Sequence, residues 1–130
     1  MRLHCLGTVG YHPNDSRHTS CYLLPESGIL LDAGTGVLRL PGLIQTDSLD
    51  ILLSHAHLDH TFGLTFLLDV VFERPLRMIR IWGESAKIEA VRQHIFHELI
   101  FPAELSAQWI AIDELDQWEI GDAKITWRHQ

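Results

Sequence analysis

Apolar and polar positions alternate in several stretches of the chain, and turn formers bound each of them. Residues 2–7 (RLHCLG) alternate and meet Gly7, which predicts a strand. Residues 8–18 carry Gly, Pro, Asn, Asp and Ser and predict a loop. Residues 19–25 predict a second strand, 26–28 a turn, and 29–32 (ILLD) a third strand that completes a hairpin. Residues 33–36 (AGTG) predict a tight connection, and 37–44 a short helix or turn interrupted by Pro41. Residues 49–54 (LDILLS) form a continuous apolar strand of the kind buried on both faces, ending at His55. Residues 59–72 predict a helix and 76–83 a strand. The longest helical pattern is 84–101, with Ile88, Val91, Ile95 and Leu99 on one face and Pro102 as its stop. Residues 108–112, 117–121 and 123–129 predict three more strands. The order β-β-β-α-β-α-β-α-β-β-β gives an α/β class with a mixed sheet and flanking helices.

Composition narrows this picture. The 130 residues suit about one domain, and 46% hydrophobic content is enough for a core. There is no internal repeat, and no apolar run reaches the roughly 18 residues that span a membrane. The start, MRLHCLGTVG, lacks the long apolar region and cleavage site of a secretory signal. Cys5 and Cys21 are too few for a disulfide framework and are expected as two small buried hydrophobes. A reducing, cytoplasmic setting is the expectation. The net charge is −7, with Lys87 and Lys124 the only lysines. Phosphate neutralisation by Lys and Arg dominates nucleic-acid binding, so this balance disfavours an RNA or DNA partner.

The chemistry is concentrated in SHAHLDH, residues 54–60, directly after the buried strand. Metal-binding imidazoles must be neutral and converge at about 2.0–2.1 Å from one ion. A strand that ends in a loop can aim several side chains at one point, and strand ends are where open α/β sheets hold ligands. His55 and His57 are two apart and can share an ion, while Asp59 and His60 can address a second. Imidazoles with a carboxylate suit zinc, iron or manganese. The bland reading, a histidine-rich loop with capping roles, fits one histidine better than this spacing.

SHAHLDH resembles the H-x-H-x-D-H signature of the metallo-β-lactamase superfamily. LGTVGYHPNDSRHTSCYLL and GILLDAGTG resemble the N-terminal hairpin of its ribonuclease Z-like, phosphodiesterase branch, with an R-x-T-S segment at Arg17 to Ser20 and a D-x-G at Asp32 to Gly34. DHTFGL resembles that branch's D-H-x-x-G-L, where the thioesterase branch has D-H-x-G-G. The resemblance implies an αββα sandwich, of which residues 1–130 are expected to be a single domain, the N-terminal half, truncated at the C-terminus. It implies two divalent metal ions, zinc first with manganese or iron as alternatives, bridged by a hydroxide. His55 and His57 would hold the first ion, and Asp59 and His60 the second, with Asp59 also the catalytic proton acceptor. Asp32 would stand behind them, orienting a ligand histidine or the loop. The family also needs a third histidine, a bridging aspartate and a last histidine. His129 is a candidate for the third histidine, and these ligands are otherwise expected beyond Gln130. Asp113, Asp116 and Asp122 read as turn residues.

The remaining candidates are weaker. His12, Asp15 and His18 sit in the loop that approaches the site in this branch, so each, His18 among them, is a candidate substrate contact. His94, His97 and Glu98 can form a helical metal pair, but read more simply as surface residues. The four tryptophans fall on predicted strands and read as core or sheet cover. The expected function is a metal-dependent hydrolase, a phosphodiesterase acting on a small, cyclic phosphodiester. The alternatives are a ribonuclease Z-like tRNA 3′-end endonuclease and a non-catalytic half-domain without a complete metal site. The expected partner is a small phosphodiester, with RNA disfavoured, no membrane, and a homodimer left open.

Overall fold

Three antiparallel strands open the chain: β1 (His4–Gly7), β2 (Cys21–Leu24) and β3 (Ile29–Leu31). Residues 1–128 are described in this computed structural model. Strands β4 (Ser48–Leu52), β5 (Met78–Gly83) and β6 (Gln108–Ala111) then add in parallel, giving a mixed six-stranded sheet ordered β1-β2-β3-β4-β5-β6. Parallel neighbours need crossovers. Here these contain a 3-10 turn (Thr35–Arg39), then α1 (Leu58–Thr61), a second 3-10 turn (Phe62–Phe66) and α2 (Leu67–Glu73), then α3 (Ser85–His94). A separate antiparallel hairpin, β7 (Gln117–Ile120) and β8 (Ala123–Thr126), follows. The predicted order of elements is the observed one.

Side chains alternate across each strand, so the sheet has two different faces. Leu6, Cys21, Leu23, Leu49, Ile51, Ile79 and Ile81 point to one face and pack with Leu64, Leu67, Val70, Val91 and Ile95 from the crossovers. Each such buried aliphatic side chain contributes on the order of 1.5–3 kcal/mol. The opposite face carries Asp50, Arg80 and Trp82. Asp50 is 1% exposed and accepts hydrogen bonds from Arg80 Nε (2.6 Å), Arg80 Nη2 (2.7 Å) and Trp82 Nε1 (2.8 Å). These bonds allow a charge in a strand buried on both faces. Asp50 in turn raises the Arg80 pKa, chiefly through the side-chain hydrogen bonds. Trp82 also stacks on Trp118 of the β7–β8 hairpin, with ring centroids 5.5 Å apart.

Several expectations need correction. The helix predicted over 84–101 ends at His94. Beyond it, Phe96 turns in to meet Phe101 and Trp109 edge-on, at 5.6 and 5.8 Å. That aromatic contact folds the chain back and leaves Leu99 85% exposed, off the buried face. The helix predicted over 59–72 is α1 and α2 joined by a 3-10 turn. Gly63 causes the break: its N–H donates to Ala33 O at 2.8 Å, and a Cβ there would lie 2.0 Å from Gly34 O. Cys21 is buried as expected, but Cys5 is exposed. The last strand spans Ala123–Thr126, and Trp127 follows it rather than lying on it. No described helix is long and apolar enough to cross a membrane.

Candidate metal centre

β4 ends at Leu52, and one more ladder bond follows it, from Leu53 N–H to Trp82 O at 2.9 Å. Residues 54–57 then leave the sheet at the carboxyl ends of the parallel strands. His57 is extended (φ −64°, ψ 148°) and caps α1. Its carbonyl accepts from His60 N–H (2.9 Å) and Thr61 Oγ1 (2.9 Å), which closes the turn and places Asp59 and His60 beside the loop.

One donor atom each from His55, His57 and Asp59 lie within 4.8 Å of one another. His60 flanks this group. Its ring centroid is 3.9 Å from that of His55, and its Nε2 faces Asp59 Oδ2 at 3.3 Å. All four residues predicted from SHAHLDH therefore converge.

Asp32 organises the group from behind. It adopts a left-handed conformation (φ 57°), which Asp tolerates better than most residues. Its Oδ1 accepts from Ser54 N–H (2.8 Å) and Ser54 Oγ (2.9 Å), and its Oδ2 lies 2.7 Å from His60 Nδ1. The neighbouring backbone continues the grip, because Ala33 N–H donates to His60 O at 2.8 Å. Gly34 must be glycine here. A Cβ would lie 2.4 Å from Asp59 O and 2.3 Å from Thr19 Oγ1. With Nδ1 of His60 on Asp32, its Nε2 is the nitrogen turned toward Asp59. Together His55, His57, Asp59 and His60 offer the imidazole and carboxylate donors that suit a divalent metal.

The profile of the metallo-beta-lactamase superfamily matches residues 15–129. The chain belongs to the metallo-beta-lactamase superfamily. It is also 30% identical over 125 residues to a ribonuclease Z of Methanopyrus kandleri, an alignment covering 92% of this chain and 42% of that protein. The chain thus spans less than half the length of this curated relative. The mixed sheet with its flanking helices is consistent with the superfamily's fold.

Within the superfamily pattern, His55, His57, Asp59 and His60 occupy the H-x-H-x-D-H positions, and Asp32 the aspartate of D-x-G. The His55 pKa is lowered from 6.5, by burial first and then by the neighbouring His60. Lowering favours the neutral imidazole, the form that binds metal. His18 does not join the group. Its Nδ1 bonds to Thr35 Oγ1 at 3.1 Å, and burial, then Arg39, lowers its pKa. It belongs to a brace in which Thr19 and Thr35 exchange backbone and side-chain hydrogen bonds under the site. His12, by contrast, lines a cavity of about 320 Å³ beside Asp59, with Tyr11, Pro13, Leu58 and Phe62. His129 lies outside the described residues.

His94 and His97 are exposed and away from this group, and His97 Nδ1 accepts from Leu99 N–H at 3.2 Å. Asp113 is more than a turn residue. It accepts from Ser85 N–H (2.8 Å) and Ser85 Oγ (2.9 Å) and so anchors the start of α3. Sequence reasoning missed Ser54 and Lys87. Ser54 read as the last residue of an apolar strand, and its place directly before the first histidine was the available signal. Lys87 Nζ pairs with Glu84 and donates to Ser54 O at 3.2 Å. Nothing in the helical pattern marks Lys87.

Proposed function

We propose that this chain supplies the H-x-H-x-D-H half of the metal centre of a metal-dependent hydrolase, a phosphodiesterase acting on a small, cyclic phosphodiester. The convergence of His55, His57 and Asp59 within 4.8 Å, backed by His60 and Asp32, carries this reading. His55 and His57 would hold one divalent ion, and Asp59 and His60 a second, with zinc the first candidate and manganese or iron the others. Bound ions there supply Lewis acidity, acidifying a water and offsetting charge on a phosphoryl oxygen. Asp59 accepts the proton of the attacking water on its carboxylate. Asp32 holds His60 through Nδ1 so that Nε2 stays aimed at the site. The cavity beside Asp59 gives room for the substrate's organic part.

A second reading, a ribonuclease Z-like tRNA 3′-end endonuclease, draws on the similarity to the M. kandleri ribonuclease Z. The charge of −7 favours the small substrate over RNA. The intact protein, assayed with bis(p-nitrophenyl) phosphate, cyclic nucleotides and precursor tRNA, separates the two. Turnover of the small diesters without tRNA cleavage supports the first reading, and the reverse result replaces it with the second. His57→Ala and Asp59→Ala are each expected to abolish both metal content and activity. A variant that keeps full activity overturns the hydrolase reading.

A further inference from the structure

We propose that Ser54 is a positioning residue that fixes which ring nitrogen of His55 carries the proton. The inference deepens the metal-site reading above and rests on it only for its consequence, not for the assignment. Ser54 Oγ lies 2.9 Å from Asp32 Oδ1, 2.8 Å from Asp32 Oδ2 and 2.9 Å from His55 Nδ1. A hydroxyl has one proton to give and lone pairs to receive with. Carboxylate oxygens only accept. If the hydroxyl proton pointed to His55, Ser54 Oγ would face both Asp32 oxygens with lone pairs alone, at 2.8–2.9 Å. The proton therefore goes to Asp32, and Ser54 Oγ accepts from His55 Nδ1–H. His55 is then the Nδ1–H tautomer, and its Nε2 presents the bare lone pair.

The same carboxylate serves the next histidine. His60 Nδ1 donates to Asp32 Oδ2 at 2.7 Å, which in the neutral, metal-binding ring leaves His60 Nε2 bare as well. Asp32 thus sets two tautomers at once, one directly and one relayed through Ser54. The Ser54 backbone is fixed on both sides: its N–H donates to Asp32 Oδ1 at 2.8 Å, and its carbonyl accepts from Lys87 Nζ at 3.2 Å. Outer hydrogen bonds of this kind set ring orientation and basicity in metal sites, and losing one typically costs 10–100-fold in metal affinity.

Two measurements on the intact protein test this. The first is a long-range proton–nitrogen correlation spectrum of the metal-free, nitrogen-15-labelled protein at neutral pH. His55 is expected to show a protonated Nδ1 and a bare Nε2, a mixture of tautomers in Ser54→Ala, and the original tautomer again in Ser54→Thr, which keeps the hydroxyl. A wild-type His55 protonated on Nε2, or an unchanged tautomer in Ser54→Ala, overturns the proposal. The second is zinc affinity by competition with a chromophoric chelator. Ser54→Ala is expected to weaken binding by about 10–100-fold, with Ser54→Thr restoring it, and undiminished affinity in Ser54→Ala overturns the proposal. If the wild type shows the expected tautomer but binds no zinc, the Ser54 assignment stands and the metal-site reading falls.

Discussion

Asp32 and His60 are 28 residues apart in sequence, yet Asp32 Oδ2 and His60 Nδ1 lie 2.7 Å from each other. The contact joins the end of β3 to α1, and through Ser54 it also reaches the loop carrying His55. Removing the carboxylate leaves His60 and Ser54 without their shared acceptor. Asp32→Ala in the intact protein is therefore expected to lower zinc affinity by about 10–100-fold. It should also lower stability by on the order of 1–3 kcal/mol, since the hydrogen bonds to a buried carboxylate are lost. Chelator competition and urea unfolding check the two effects separately. Unchanged zinc affinity in Asp32→Ala would remove the carboxylate from any role at the site.

The pH dependence follows from His55. Burial, and then His60, lower its pKa below 6.5 in the folded protein. Below that pH the unfolded chain takes up the proton more readily than the folded one. Stability from this group is present above 6.5 and is lost as pH falls through the folded value. The metal-free protein is expected to unfold at lower urea concentration at pH 5.5 than at 7.5, and zinc affinity should fall in the same direction. A His55→Gln variant should show a shallower slope, and an equal slope would trace the effect to another group.

Much of this fold follows from short-range pattern. The strands and their order come from period-2 alternation and turn formers, and both depend on a few neighbouring residues. The four converging side chains His55, His57, Asp59 and His60 are also local, because one strand end and one helical turn hold them together. What the sequence hides depends on distant contacts. The end of α3 at His94 is set by Phe96 meeting Trp109, which no helical period anticipates. Asp50 looks out of place in a buried strand until Arg80 and Trp82 arrive from β5. Ser54 reads as a polar strand end, and its role appears only when Asp32 comes within 3 Å of it. His18 shows the reverse: its loop position points to the site, but the Thr19–Thr35 brace takes it up.

The two cysteines should differ sharply in reactivity. The thiolate is the reactive form. Burial pushes the Cys21 pKa up to about 12, with the nearby Asp32 charge adding to it, whereas Cys5 is exposed. Iodoacetamide at pH 8 is expected to label Cys5 alone in the folded protein and both cysteines after unfolding, as read by peptide mass spectrometry. The raised value also implies a loss of stability as pH rises from 9.0 toward 12, because the unfolded thiol ionises first. Cys21→Ala should flatten that alkaline decline. Native labelling of Cys21 at pH 8 would contradict its burial in the core.

The ion pair on the far face of the sheet makes a prediction of its own. Asp50 is 2% exposed at its side chain and Arg80 31%, so the two partners differ in what their loss leaves behind. Arg80→Ala strands a buried carboxylate with Trp82 Nε1 as its remaining side-chain donor among the described residues. Breaking such a pair from one side costs about 3–5 kcal/mol when both groups are buried, and solvent at Arg80 places this case near the low end, about 3 kcal/mol. Asp50→Leu with Arg80→Met removes both charges and keeps apolar volume, so much of that loss should be recovered. Denaturant unfolding of Asp50→Leu, Arg80→Met and the double variant gives the coupling. If Arg80→Ala costs under about 0.5 kcal/mol, the range of ordinary surface substitutions, the pair does not hold β4 to β5. The backbone ladder and the core on the opposite face would then suffice.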